Sequence, residues 1–227
     1  GQRVLNVVAE EGVVWHLIDG DVTSFAVGKT VHGEIDWPRR FDHMQQHSGQ
    51  HLLSQVFERL YGYETISVHI GDDEDTLDLD APTLDAAQTE AAERLANERV
   101  YAALPITAYF VDENALDRIP LRRPPKVKQA IRIVEIAGYD YSACGGTHCH
   151  STAELGPIKI IRTERRRSGV RVTFLCGERA LNDYLRKHRW LMAIASQFST
   201  DPAETPLLVE RNLVQVKELQ RRVDELS

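Results

Sequence analysis

Four side chains in two short segments have the chemistry of a transition-metal site. His47 and His51 are spaced four residues apart in a stretch of helical periodicity, so their rings project about 40° apart around one helix and can share an ion. Cys144 and His148 repeat that spacing, and Gly145 and Gly146 between them permit a tight backbone turn. Thiolate sulfur and imidazole nitrogen together suit zinc, and four such ligands complete a tetrahedral shell around a single ion. Four protein ligands fit a structural ion at least as well as a catalytic one, which needs a fifth position or the release of one ligand. Spacing leaves that choice open. His43 precedes His47 by four residues and is read as packing near the helix start. Cys149 and His150 adjoin the second pair and are alternative ligands in place of Cys144 or His148, and Cys176 is read as a small buried apolar residue.

The elements that must position these residues read as a mixed α+β chain. Arg39 to Tyr61 is helical, with Leu52, Leu53, Val56, Phe57 and Leu60 on one apolar face broadly opposite His47 and His51, and Gly62 supplies the stop. Thr65 to Ile70 and Thr76 to Asp80 form a hairpin across the acidic turn Asp72, Asp73, Glu74, and a helix follows Thr83 and runs to Ala103. Ile106 to Val111, Ile131 to Ile136, Ile158 to Ile161 and Val170 to Leu175 read as strands. After Gly177, an amphipathic helix runs from Ala180 to Phe198. Past Pro202 and Pro206, a last helix carries Val209, Asn212, Val216, Leu219, Val223 and Leu226 at coiled-coil spacing.

Residues 1–36 hold short β-rich runs punctuated by Gly12, Gly20, Gly28 and Gly33, which predict a small antiparallel sheet or barrel. The opening residues already read as strand, and the last heptad is still in register at Ser227. Both ends therefore predict further chain, although a single packed amphipathic helix accounts for the last segment equally well. The expected division is a β-rich part over 1–36, a metal-containing part over 37–177 and a helical part over 178–227 that offers a homodimer contact.

With 227 residues, 42% hydrophobic and 27% charged, the chain can bury a sizeable core. It has no run of about 18 apolar residues to span a membrane, and no basic-then-apolar start, so the default location is cytoplasmic. Three cysteines do not suggest a disulfide framework. A net charge of −7 confines any nucleic-acid contact to local basic clusters. Two exist: Arg122, Arg123, Lys126 and Lys128 around a Pro-Pro pair, and Arg162, Arg165, Arg166, Arg167 and Arg171 after an apolar run. A phosphate-binding loop and a dinucleotide fingerprint are both absent from the sequence.

The segments Arg40-Phe41-Asp42-His43-Met44-Gln45-Gln46-His47-Ser48-Gly49-Gln50-His51-Leu52-Leu53 and Cys144-Gly145-Gly146-Thr147-His148 resemble the paired HxxxH and CxxxH motifs of alanyl-tRNA synthetase editing domains and of the free-standing alanyl-tRNA editing proteins. The likeness continues through Gly156-Pro157-Ile158-Lys159-Ile160 and Ser168-Gly169-Val170-Arg171, and covers roughly 36 to 180. It implies an α+β editing domain with an antiparallel sheet, a small barrel-like part before it and linking helices after it. His47, His51, Cys144 and His148 fall on the family's metal positions. The implied reaction is hydrolysis of serine or glycine wrongly esterified to alanine tRNA, with water as nucleophile. Zinc either activates that water or holds the substrate's amino group. Thr65, Ser67 and His69 on one strand face, Gln50 beside the histidines, and Gly145, Gly146 and Thr147 in the turn are the expected substrate contacts. Gln45 and Gln46 are further candidates to contact substrate or support the ligands. One departure is the absence of a glutamine between Thr65 and Ser67, where synthetase editing domains commonly carry one. Arg122, Arg123, Lys126, Arg165, Arg166 and Arg167 are the expected RNA contacts. Three other readings remain: a structural zinc module that only binds RNA, an editing domain of the threonyl-tRNA type, and a zinc hydrolase of other small aminoacyl esters.

Overall fold

The structure is a computed structural model and describes residues 2–23, 25–125, 127 and 129–226. It divides into two units, residues 1–36 and residues 37–227.

In the first unit, β1 (Val4–Glu10) and β2 (Val13–Ile18) pair antiparallel. Both residues of the connecting turn, Glu11 and Gly12, take positive φ (50° and 80°), the geometry that suits a two-residue hairpin. Of the small antiparallel sheet or barrel expected from the sequence, the sheet is what the described residues show. A closed barrel pairs every strand on both sides, whereas among the described residues this unit has two strands, and the glycines at 20, 28 and 33 interrupt chain that carries no further strand.

The second unit is built around one long helix, α1 (Trp37–Tyr61), with Pro38 in its first turn, where a missing N–H costs nothing. Then come β3 (Thr65–Ile70), β4 (Asp75–Leu79), α2 (Ala86–Tyr101), β5 (Ile106–Val111), β6 (Ile131–Ile136), β7 (Asp140–Ala143), β8 (Ile158–Arg166), β9 (Gly169–Cys176), α3 (Gly177–Gln197) and α4 (Thr205–Leu226). Two antiparallel sheets result, ordered β3-β4-β9-β8 and β5-β6-β7. α2 begins at a reciprocal cap in which the Asp85 carboxylate accepts from the Gln88 amide and the Gln88 side chain accepts from the Asp85 amide. Its start therefore falls two residues later than Thr83 suggests.

α1 packs against α2 and α3 and against strands of both sheets. Leu52, Leu53, Val56 and Phe57 are fully buried with Leu77 and Leu79 of β4, Val172 and Phe174 of β9, and Ala92 and Ala96 of α2. The opposite side of α1 is covered as well, so its polar side chains need partners inside the protein. Gln46 finds them on the backbone of Cys176, accepting from the amide (2.8 Å) and donating to the carbonyl (3.0 Å), and Gln45 donates to the Glu154 carbonyl (2.8 Å). Helix turns of about 100° per residue aim these two glutamines away from His47, so they fasten the helix and do not support the ligands as expected. Gly49 lets β9 approach: a Cβ there would collide with the Cys176 sulfur.

Arg179 fixes the start of α3. It donates to both carboxylate oxygens of Asp42 (2.8 and 2.6 Å) and to the Gly71 carbonyl (2.9 Å), and lies 3.5 Å from the buried Asp75. From Tyr184 onward the face of α3 is largely exposed, and on α4 Thr205 is the one buried residue.

Candidate metal centre

His47 and His51 leave α1 on the same side, one turn apart, toward the chain that follows β7. That chain is held in place by Arg132 of β6, whose Nη1 donates to the carbonyls of Cys144 and Gly146 (2.8 Å each), while the Cys144 amide donates to the Arg132 carbonyl (3.0 Å). Gly146 then passes directly over His47, where any Cβ would strike the imidazole, so the glycine is required by close approach. The outcome is convergence. One ligand atom from each of His47, His51, Cys144 and His148 lies within 4.8 Å of every other. The Cys144 sulfur stands 3.5 Å from His47 Nε2 and 3.4 Å from His148 Nε2, and the Gly146 amide donates to it at 3.4 Å.

Behind the rings, two groups fix their orientation. His51 Nδ1 faces Asp140 Oδ2 at 3.4 Å, which leaves Nε2 for the centre. Asp140 has no exposed side chain and is gripped by Arg122 Nε (3.0 Å) and by the Ser142 hydroxyl (2.9 Å), which itself accepts from Arg122 Nη2 (2.9 Å). His148 Nδ1 meets the Ser48 hydroxyl at 3.2 Å, and the same hydroxyl accepts from the Cys149 amide (3.0 Å).

Burial pushes the Cys144 thiol up, but hydrogen bonds from His148, His47 and His51 outweigh it and hold it at about 3, so the sulfur is a thiolate. Burial brings His148 down to about 4 against the pull of that thiolate, leaving a neutral ring. His51 is buried too, yet the hydrogen bonds to Asp140 and Cys144 raise it, and burial of Asp140 is overcome by His51 and Arg122, which lower it. One soft anion and three imidazoles, one of them backed by a carboxylate, match the donor set of zinc and the carboxylate–histidine support common to such sites.

A cavity of about 720 Å³ opens onto His47, His51 and Cys144 and continues past Gln50 and Thr65. These last two are buried and joined through Ser54, whose hydroxyl accepts from Gln50 Nε2 and Thr65 Oγ1 at 2.8 Å each. Ser67 lines the cavity and donates to Asp78 (2.6 Å). His69 does not join them. The register slips between Thr65 and Ser67, which breaks the two-residue alternation, and Ile66 and Val68 line the cavity instead. Gly145 is at the cavity wall, Gly146 lies over His47, and Thr147 is exposed and outside the lining.

Among the expected RNA contacts, Arg122 is drawn inward to Asp140, Arg123 is exposed 3.8 Å from Glu64, and Lys126, like Lys128, lies outside the described residues. Arg165, Arg166 and Arg167 are exposed at the β8–β9 turn, with Arg166 held by Glu164 (2.7 Å). His43 faces Asp72 (3.9 Å) and His150 faces Glu154 (3.8 Å), both apart from the four-residue cluster. Burial raises the thiol of Cys149 to about 11 and that of Cys176 well above its ordinary value, as befits packed apolar cysteines.

Sequence reasoning missed Asp140, Ser142, Ser48, Ser54 and Arg132. One signal was available: Asp140, Ser142 and Cys144 follow at intervals of two, which in extended chain puts them on one side.

A family model described as the threonyl and alanyl tRNA synthetase second additional domain matches residues 131–171. The chain is 35% identical to alanyl-tRNA editing protein Aarsd1-A of Xenopus laevis over 192 residues, 83% of this chain and 47% of that one. It is 32% identical to Aarsd1 of Danio rerio over 225 residues, covering 97% and 54% of the two. Against the alanine–tRNA ligase of Methanopyrus kandleri the identity is 35% over 233 residues, 99% of this chain and 25% of the ligase. The chain thus spans about half the length of the editing proteins it matches. Its HxxxH helix, its CxxxH turn and these likenesses have one common account: the chain belongs to the alanyl-tRNA editing protein family.

Proposed function

We propose that this chain is a zinc-dependent aminoacyl-tRNA deacylase that acts in trans on tRNA(Ala) mischarged with serine, and also with glycine. The reading rests above all on the cavity. Three of the four candidate ligands form part of its wall, so an ion held there faces a space of substrate size rather than closed protein. A purely structural zinc is expected to be sealed on all sides, which counts against the RNA-binding module without hydrolysis.

His47, His51, Cys144 and His148 hold the ion, with Asp140 and Ser48 setting the rings behind them. When bound, the ion supplies Lewis acidity toward water or toward the substrate's amino group. Gln50 and Thr65, each already donating to Ser54, keep acceptor oxygens for the serine hydroxyl. Ser67 lines the same cavity, and Gly145 lets the ester approach the centre without side-chain obstruction. Such a second sieve answers a physical need. A pocket for alanine separates it from glycine, or from serine with one added hydroxyl, by only about 1–3 kcal/mol.

The exposed arginines of the β8–β9 turn are the proposed backbone contacts for RNA, and the apolar stripe of α4 is the proposed homodimer contact. No helix among the described residues is long and apolar enough to cross a membrane, which is compatible with work in the cytoplasm.

The test is release of amino acid from Ser-tRNA(Ala) and Gly-tRNA(Ala) by the zinc-loaded chain, beside Ala-tRNA(Ala), Thr-tRNA(Thr) and a Cys144→Ala variant with zinc content recorded. Hydrolysis of the mischarged alanine tRNAs, abolished in the variant together with zinc binding, is the expected outcome. Hydrolysis restricted to threonine tRNA substrates would move the reading to the threonyl type. Folded, zinc-containing protein that hydrolyses nothing would sink it.

A further inference from the structure

Arg122, Arg123, Pro124 and Pro125 form part of the cavity wall, and they belong to no helix or strand. Chain of that kind keeps its place only where something outside it holds on. Among the described residues, the hydrogen bonds that join 122–125 to the rest of the protein all start from Arg122. Its amide donates to the Tyr141 carbonyl (2.9 Å) on β7, at the edge of its sheet, while its Nε donates to Asp140 Oδ1 (3.0 Å) and its Nη2 to the Ser142 hydroxyl (2.9 Å). Arg123 adds a 3.8 Å approach to Glu64 between two exposed side chains.

The group that Arg122 grips is also the one that orients His51. Asp140 offers one carboxylate oxygen to Arg122 and the other to His51 Nδ1 (3.4 Å), and the Ser142 hydroxyl bridges the pair, accepting from Arg122 and donating to Asp140 Oδ2 (2.9 Å). The Arg122 side chain is 9% exposed and that of Asp140 not at all. Either charge left alone inside the protein is costly, so the pair moves together or not at all. A shift of His51 therefore reaches the wall through two side chains. Gln55 of α1, in the amide orientation that satisfies both its neighbours, also donates to Asp140 Oδ1 (3.1 Å), so part of the support for Asp140 survives loss of Arg122.

We propose that Arg122 is a positioning residue that couples the cavity wall to the metal centre: residues 122–125 are held in place when the centre is loaded and loosen when it is stripped of metal. The proposal rests on the zinc reading of the site and deepens it, since the ion then helps to build the space for the substrate as well as acting within it. Arg122 itself works through Asp140 and His51. Coupling of this sort is reciprocal, so whatever loosens the wall also loosens the ion.

Amide hydrogen exchange over residues 119–123, read by mass spectrometry on the full chain with zinc and after chelation, tests this, with circular dichroism to show that the fold persists. Stripping the ion should speed exchange there by about 10-fold, within the usual range of coupling between sites, although none of the four candidate ligands lies in that stretch. Exchange across β8 and β9 should stay as it was. Arg122→Gln should make exchange over 119–123 fast with or without zinc, and should raise the Kd for zinc by about 10-fold. Should that variant fail to fold, Arg122→Lys serves: it keeps the charge and loses the fork, so exchange and zinc Kd should both shift the same way by less. Exchange that ignores the ion in a folded, zinc-binding parent chain overturns the coupling and leaves the editing reading standing, as does either variant in which one readout shifts and the other does not. A folded chain that takes up no zinc overturns both.

Discussion

The three imidazoles of the centre differ in what stands behind them. His51 is backed by a buried carboxylate, His148 by a hydroxyl, and His47 is constrained from the front by the backbone of Gly146. Asp140 does the most, because it is itself held by Arg122 and Ser142 and so cannot swing away from His51. Asp140→Asn keeps the shape and removes the charge, and should weaken zinc retention by about 10- to 100-fold in competition against a chelating dye. Gly146→Ala should be more selective. The added methyl displaces His47, so zinc should dissociate at unchanged helix content, measured as metal content beside circular dichroism. The four clustered residues are legible in the sequence because their spacing is local, four residues in each pair. Asp140 and Ser48 are not, since they meet their histidines across 89 and 100 residues, and adjacency of that kind is made by the fold alone.

At the scale of elements, α1 and its surroundings decide where the centre sits. The periodicity of its apolar residues announces the helix, but not that its other face is buried as well. That second burial is why Gln45 and Gln46 are tied to backbone rather than to ligands. β7 is hidden in the sequence because a four-residue strand that begins with aspartate carries almost no periodic signal, and β8 runs on to Arg166 through arginines that read as surface chain. A small buried cluster clamps α3 to this frame. Burial pushes the Asp75 carboxyl up to about 6 against the opposing pull of Arg179. In the unfolded chain the same group releases its proton near 4. Between about pH 4 and 6 the folded state therefore holds the extra proton, and stability falls as pH rises through that window. Asp75→Asn, neutral throughout, should gain on the parent in denaturant midpoint as pH is raised from 4 to 7. A constant gap across that range would show that Asp75 is not buried as described.

For the whole molecule, the net charge of −7 makes local geometry decisive for any approach to RNA. At the tip of β8–β9, Glu164 ties up Arg162 and Arg166, while Arg165 and Arg167 have no ion pair among the described residues. Those two are the better candidates for phosphate. Arg165→Glu with Arg167→Glu should lower tRNA affinity and flatten its salt dependence, the slope falling by about 1 for each phosphate that is no longer neutralised. Affinity that does not change would remove this turn from the interface. The apolar residues of α4, from Val209 to Leu226, stand exposed along the helix, which is the surface proposed above for the homodimer contact.

The division of the four candidate ligands between two distant segments also bears on how such a protein is made. His47 and Cys144 are separated by 97 positions, and Gln46 locks onto Cys176 across 130. While the chain is still leaving the ribosome, only the two histidines of α1 exist to meet an ion, and a pair of imidazoles grips zinc far more weakly than the full set. On the proposed zinc reading, capture by the full set must then wait until Cys144 and His148 have been synthesised and the long-range strands around them have closed, a slow class of folding event. A cell short of the metal would therefore, on the same reading, complete chains whose fold is made before the ion arrives, and scarcity would be felt as a loss of turnover rather than as a loss of yield.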